Sequence, residues 1–162
     1  MNAPGLFLEA ASEDDVCALT ELERRCHSHP WTLRHFVDAL ADRETLRVFV
    51  LRQAFEAEDP GRGIVGYCVV QVAAGEMHLH NLAIEPGARR KGLGGWLLRE
   101  ALRWGAALGA EDVFLEVRQS NWAALALYRD AGFEVVSVRR TYYDRPREDA
   151  LILRRKRAAQ QP

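Results

Sequence analysis

The chain has 162 residues, 48% of them apolar and 28% charged, with a formal net charge of -1. That length can bury roughly 70% of its unfolded surface around one core without a disulfide or structural metal, and it is too short for two full α/β domains. A charge so close to zero excludes the broad basic excess of a protein that grips nucleic acid through its phosphates.

In chain order, Phe7 and Leu8 read as a first strand. Ser12, followed by Glu13, Asp14 and Asp15, is a helix N-cap with an acidic first turn, matched to the positive end of the helix dipole. Val16, Leu19, Leu22 and Cys26 continue at helical spacing until Pro30, and Thr32 caps a second helix carrying Phe36, Val37 and Leu40 on one face. From Leu46 the period drops to two, with Leu46, Val48 and Val50 alternating with Arg47, Phe49 and Leu51. After the linker-like Gln53–Gly63 come the strands Ile64–Val72 and Met77–Ile84. The turn Ala73-Ala74-Gly75 joins them, so strands two to four form an antiparallel meander. Pro86-Gly87 breaks the chain, and Leu93, Trp96, Leu97, Ala101, Trp104 and Leu108 mark a long helix stopped by Gly109. Val113–Val117 is a near-continuous apolar strand interrupted by Glu116. A helix over Asn121–Ala131 ends at Gly132, and the strands Phe133–Tyr143 and Ala150–Leu153 close the chain, with Pro146 in their turn.

This order, β-α-α-β-β-β-α-β-α-β-β, predicts an α/β fold with a mixed central sheet of about seven strands and helices on both faces. The helical crossover from Met77–Ile84 to Val113–Val117 predicts that those two strands are parallel. One domain, 1–154, is expected ahead of a flexible basic and polar tail, 155–162. The longest nearly uncharged apolar stretch, Gly63–Ala74, falls short of the roughly 20 residues that a bilayer span requires. Met1–Gly5 lacks the basic and hydrophobic runs of a secretory leader, so a cytoplasmic location without a membrane partner is expected. Cys17, Cys26 and Cys68 are odd in number and widely spaced, which argues against a disulfide framework or a Cys-x-x-Cys site and predicts buried thiols.

The sharpest chemical signal is Arg89-Arg90-Lys91-Gly92-Leu93-Gly94-Gly95, set between a strand and the first turn of a helix. Glycines let a backbone approach an oxyanion closely, and the unpaired N–H groups of a helix start point at it. The run has neither the Walker spacing nor the Gly-x-Gly-x-x-Gly dinucleotide pattern, and reads as a pyrophosphate cradle or as a basic, glycine-rich turn without a ligand.

Arg-x-x-Gly-x-Gly in this setting resembles the acetyl-CoA-binding motif of the GNAT N-acetyltransferases. His80-Asn81-Leu82-Ala83-Ile84 before it, Leu115-Glu116-Val117-Arg118-Gln119-Ser120-Asn121 after the long helix, and Ala126-Leu127-Tyr128 with Ala131-Gly132-Phe133 sharpen the resemblance. Together with His29-Pro30-Trp31-Thr32 and Arg140-Thr141-Tyr142-Tyr143, they are similar to the bacterial RimI-type ribosomal-protein alanine N-acetyltransferases over about Phe7–Leu153. The resemblance implies the GNAT fold and acetyl-CoA as co-substrate, without a metal. It implies that Leu82, Ala83 and Ile84 pair with the pantetheine arm, that Arg90, Lys91, Gly92, Leu93, Gly94 and Gly95 hold the pyrophosphate, and that Asn121 adds a side-chain hydrogen bond. It further implies Glu116 as general base and Tyr128 as the acid that protonates the leaving thiolate. Trp31, Tyr142 and Tyr143 would line a groove for the acceptor, a protein N-terminus of ribosomal origin, with the enzyme acting as a monomer or weak dimer.

Each residue also has a plainer reading. Glu116 is expected to be a buried carboxylate, which is unusual without a partner or a task, and Arg118 on the same strand face offers an ion pair. Tyr128 lies at helical spacing with Ala124, Leu125 and Ala131 and equally suits a core. Trp31, Tyr142 and Tyr143 read as well as core or edge aromatics. His78 and His80 share a strand face, as do His27 and His29 if extended, but no acidic or thiolate partner has matching spacing for a metal. A GNAT acting on lysine side chains or a small amine, and a non-catalytic acyl-CoA-binding module, are the alternative functions.

Overall fold

Residues 5–53 and 63–156 are described by a computed structural model, in which the element boundaries follow the sequence periodicity. The order is β1 (Leu6–Ala10), α1 (Val16–Cys26), α2 (Leu33–Ala41), β2 (Leu46–Gln53), β3 (Gly63–Ala73), β4 (Glu76–Ile84), α3 (Leu93–Ala107), β5 (Asp112–Arg118), α4 (Trp122–Asp130), β6 (Glu134–Asp144) and β7 (Arg147–Lys156). Short 3-10 turns at Glu13–Asp15 and Pro86–Ala88 precede α1 and α3. The strands form one mixed sheet in the order β1-β2-β3-β4-β5-β7-β6. β4 and β5 are parallel, with Met77 opposite Val113 and Leu79 opposite Leu115, as the helical crossover predicts. Ala74 and Gly75 link β3 to β4 with φ of 51° and 80°, the left-handed pair that a two-residue hairpin turn demands. The linker at 54–62 and the tail at 157–162 lie outside the described residues. None of the described helices is long and apolar enough to cross a membrane.

The chain divides into two compact units, the first running to Val70 and including Asn81–Leu98, the second comprising Gln71–His80 and the chain from Arg99. In the first, α1 and α2 cover the β2–β4 segments, and Leu19, Leu22, Phe36, Val50, Tyr67 and Val69 are almost fully buried. Phe36 meets Tyr67 edge-on at 5.5 Å, and Trp31 tilts onto Phe36 at 5.5 Å. The acidic start of α1 is closed by the Ser12 N–H, which donates to the Asp15 carboxylate at 2.8 Å. Cys68 is wholly buried, and burial pushes its thiol up to about 12. Cys26 is half-buried, whereas Cys17 is exposed and corrects the expectation of three buried thiols. The reason is rotational: Val16, Leu19 and Leu22 define the apolar stripe of α1, and Cys17 falls off it.

In the second unit β5, β7 and β6 pair antiparallel in sequence, Leu115 opposite Leu153 and Val135 opposite Leu153. β7 runs to Lys156 instead of stopping near Leu153, because its end pairs with the start of β5 and Arg154 grips Asp112 through two hydrogen bonds of 2.8 and 2.7 Å. Residues 155 and 156 are therefore strand, not tail.

Candidate active site

The first unit carries Leu82–Ile84 and the glycine run, most of the residues expected to meet the cofactor. In β4, Ala83 and Ile84 are buried and Leu82 is half-buried. The Ile84 carbonyl already accepts from Arg89 Nε at 3.0 Å and from Cys26 Sγ at 3.4 Å. Both lone pairs are thus engaged, so that carbonyl is not available to an incoming chain. Beyond the 3-10 turn, Arg90 and Gly92 adopt left-handed φ of 62° and 77°, with Lys91 between them at negative φ. Alternation of this kind turns successive N–H groups toward one concavity, a recurrent anion nest. It opens directly into α3, whose ladder begins with the Trp96 N–H donating to the Gly92 carbonyl at 3.0 Å, so the first-turn N–H groups have no partner within the helix. The nest and the helix start suit a pyrophosphate, and this is the local geometry that the glycine run encodes.

Glu116 lies in the second unit, and there the structure corrects the expectation of burial. Alternation along β5 sends Val113, Leu115 and Val117 into the core and leaves Glu116 on the other face with its side chain 32% exposed. Its ion-pair partner is not Arg118 but Arg139 of β6, whose Nη1 lies 2.6 Å from Glu116 Oε1. Tyr142 also donates to this carboxylate; the hydrogen bond and the charge hold its phenol above the ordinary range, against the opposing pull of Arg139. The Arg139 guanidinium stands 5.5 Å from the Tyr142 ring. His80, on the same unit, is lowered by burial and by His78, with Glu116 opposing.

Arg118 instead pairs with Glu148 at 3.4 Å and lies 3.8 Å over the Tyr143 ring. Burial pushes the Tyr143 phenol up. Asn121 is the N-cap of α4, its Oδ1 accepting the Ala124 N–H at 3.2 Å, so its amide N–H groups are the part that could serve a ligand. Tyr128, seven residues on, is only 8% exposed and meets Phe133 edge-on at 5.7 Å. Trp31 belongs to the first unit, where its N–H donates to Glu23 Oε1 at 2.8 Å. The structure thus gathers Glu116 with Tyr142 and Arg139, and it sets Tyr143 beside them on Arg118. No group of three or more metal-type ligands occurs among the described residues. Glu23 is the buried carboxylate that sequence reading overlooked; its only local signal is a Glu on the stripe that Leu19, Leu22 and Cys26 mark out.

A model of the acetyltransferase (GNAT) family matches residues 16–133. The chain is 33% identical over 144 residues to the [ribosomal protein bS18]-alanine N-acetyltransferase of Salmonella typhimurium, covering 88% of this chain and 91% of that one. The crystal structure of the ribosomal-protein-S18-alanine N-acetyltransferase from Escherichia coli superposes with a TM-score of 0.81 at 30% identity, over 97% of this chain and 98% of that one. Arabidopsis thaliana NAA60 in complex with acetyl-CoA shares the fold, with a TM-score of 0.83 at 13% identity over 93% and 98% of the two chains.

Proposed function

The chain belongs to the GNAT acetyltransferase family and is an acetyl-CoA-dependent acyltransferase, and from that premise we propose that it acetylates the N-terminal α-amine of a ribosomal protein. The observation that carries this choice of acceptor is the near full-length similarity to alanine N-acetyltransferases of ribosomal protein bS18. Elementary acid-base chemistry supports it. An α-amine of pKa ~8 costs about 1.4 kcal/mol to deprotonate at pH 7, whereas a lysine of pKa ~10.4 costs about 4.6 kcal/mol. A single carboxylate is a more adequate base for the first.

In this reading the N–H groups from Arg90 to Gly95 hold the pyrophosphate, Leu82 and Ala83 with the Ile84 N–H take the pantetheine arm, and the Asn121 amide adds a hydrogen bond. Bound acetyl-CoA supplies the thioester carbonyl that the amine attacks. Glu116 accepts the ammonium proton, directly or through a water, and frees the lone pair that forms the new C–N bond. As the C–S bond breaks, Tyr128 delivers its hydroxyl proton to the sulfur, and the second proton shed by the attacking nitrogen as the amide forms returns to the phenolate, so the products are amide and thiol with one proton left on Glu116. Trp31, Tyr142 and Tyr143 orient the acceptor chain.

Mass spectrometry after incubation with acetyl-CoA tests the acceptor. The panel is the N-terminal peptide of the small-subunit ribosomal protein, the same peptide with a blocked N-terminus and a free lysine, and a polyamine. One added acetyl group on the first peptide alone is the expected result. Modification of the blocked peptide or the polyamine in its place would overturn the reading.

A further inference from the structure

Glu23 is 1% exposed, the most deeply buried of the charged side chains among the described residues. Its Oε1 accepts from two directions: the Trp31 N–H at 2.8 Å, in the connection between α1 and α2, and Asn81 Nδ2 at 3.1 Å, on β4 immediately before Leu82. Its Oε2 accepts from the Tyr67 hydroxyl of β3. His27 Nε2 stands 3.5 Å from Oε2 without completing a hydrogen bond. A buried carboxylate is costly, and well-packed hydrophobic residues replace buried charges at little or no loss of stability. Stability alone therefore gives no reason for an anion at this position. What the anion supplies, and a leucine would not, is a fixed distance between three chain segments.

We propose that Glu23 is a positioning residue for acyl transfer: through one oxygen it ties the connection that carries Trp31 to the strand that carries Leu82–Ile84. The inference rests on the reading above, in which the first segment faces the acceptor and the second holds acetyl-CoA. Catalytic chemistry does not pass through Glu23. Its effect is on where Trp31 stands relative to the cofactor strand, and displacement of about 1 Å at such a place is enough to cost up to about 100-fold.

The test compares wild type with Glu23→Leu and Glu23→Gln, using whichever amine the wild type acetylates best, and records kcat, acceptor KM, acetyl-CoA affinity by calorimetry and thermal melting. In Glu23→Leu the acceptor KM should rise about tenfold or more while the acetyl-CoA Kd stays within about twofold. Glu23→Gln should restore most of the acceptor KM, because its carbonyl still accepts from Trp31 and Asn81 while its amide faces Tyr67. An acceptor KM within about twofold of wild type in a folded Glu23→Leu protein would overturn the proposal, as would equal losses toward both substrates. If Glu23→Leu does not fold, Asn81→Ser cuts the strand side alone and leaves Glu23 two donors; an unchanged acceptor KM there overturns it equally. A wild type that prefers a lysine or polyamine would refute the proposed acceptor, yet Glu23 would still be judged by the KM for that amine.

Discussion

Glu116 and Arg139 are joined by a 2.6 Å ion pair that links β5 to β6 over the intervening β7. Ile152 of β7 is the register partner of both Glu116 and Ser137, so the pair runs diagonally across that strand. Farther along β6 the register shifts between Arg139 and Tyr143, with Thr141 at φ 53° and its N–H bound to Asp149 at 2.7 Å. That irregularity returns Tyr142 to the same carboxylate. Because the Glu116 hydrogen bond and charge are what raise the Tyr142 phenol, Glu116→Gln should lower that pKa toward the ordinary value, while Arg139→Gln, which removes an opposing cation, should raise it further. Ultraviolet tyrosinate titration, with Tyr142→Phe identifying the component, reads both signs. Shifts in the reverse directions would separate Tyr142 from this carboxylate.

At the nest, Gly92 has φ 77° and a Cβ added there would meet nothing within 4 Å. Its requirement for glycine is therefore one of backbone conformation, not of space. Forcing an L side chain into that region costs about 1–2 kcal/mol, and a β-branched one is the worst suited. Gly92→Val should weaken acetyl-CoA binding by about tenfold, more than Arg90→Ala does, if the backbone holds the pyrophosphate. Calorimetry giving the opposite order would assign the main role to the side-chain charges.

Much of the fold was legible because periodicity is a local property. The switch to period two at Leu46, the Ala74-Gly75 turn and the crossover to β5 each follow from a few neighbouring residues. Glu116 shows the limit of that legibility: Leu115 and Val117 flank it in sequence, but in a strand neighbours point to opposite faces, so an apolar run did not imply a buried carboxylate. The glycine run identified the nest, since its φ values are themselves local. Partners were not legible where they are remote. Asn81 lies 58 residues from Glu23, and Arg139 reaches Glu116 only because β7 separates their strands. The resemblance implies a side-chain hydrogen bond from Asn121 to the cofactor without saying which amide atom makes it, and capping of α4 occupies the oxygen.

The cysteines give a pH-dependent check on the core. Cys17 is exposed, whereas burial holds Cys68 neutral to about 12. At pH 8 a thiol of that pKa is only about 0.01% thiolate, the form that reacts. Iodoacetamide should label Cys17 in the native protein and spare Cys68 until unfolding. The same shift carries a stability term of definite sign: the folded pKa is raised, so its contribution is complete below the unfolded value of about 8.5 and is lost as pH climbs toward 12. Cys68→Ala should flatten the loss of melting temperature over that alkaline window, though it lowers stability overall by leaving a cavity.

Tyr128 is buried against Phe133, and removing its hydroxyl leaves the ring contact in place. Tyr128→Phe should therefore keep acetyl-CoA affinity and melting temperature near wild type while lowering kcat, because the proton is needed only as the thiolate leaves. Positioned acids contribute about 100- to 10,000-fold. A loss below about threefold at saturating substrates would return Tyr128 to a packing role.

The base assignment and the acceptor can be tested together through Glu116→Gln. Glutamine keeps the size of the side chain and an acceptor for Arg139, so thermal melting should change little. If Glu116 takes the amine proton, the defect is deepest at low pH, where almost every acceptor is an ammonium, and it shrinks as the solution itself deprotonates the amine. For an N-terminal acceptor that recovery should fall near pH 8 to 9, about one unit around the α-amine value of 7.7–8.0, whereas a lysine acceptor would keep the defect until about pH 10. Arg139 makes the alternative concrete, since the 2.6 Å ion pair could be the whole purpose of the carboxylate. In that case the defect would be independent of pH, and Arg139→Gln would reproduce it. A pH-dependent defect in Glu116→Gln, with none of that dependence in Arg139→Gln, assigns the proton transfer to Glu116 and leaves Arg139 to orient it.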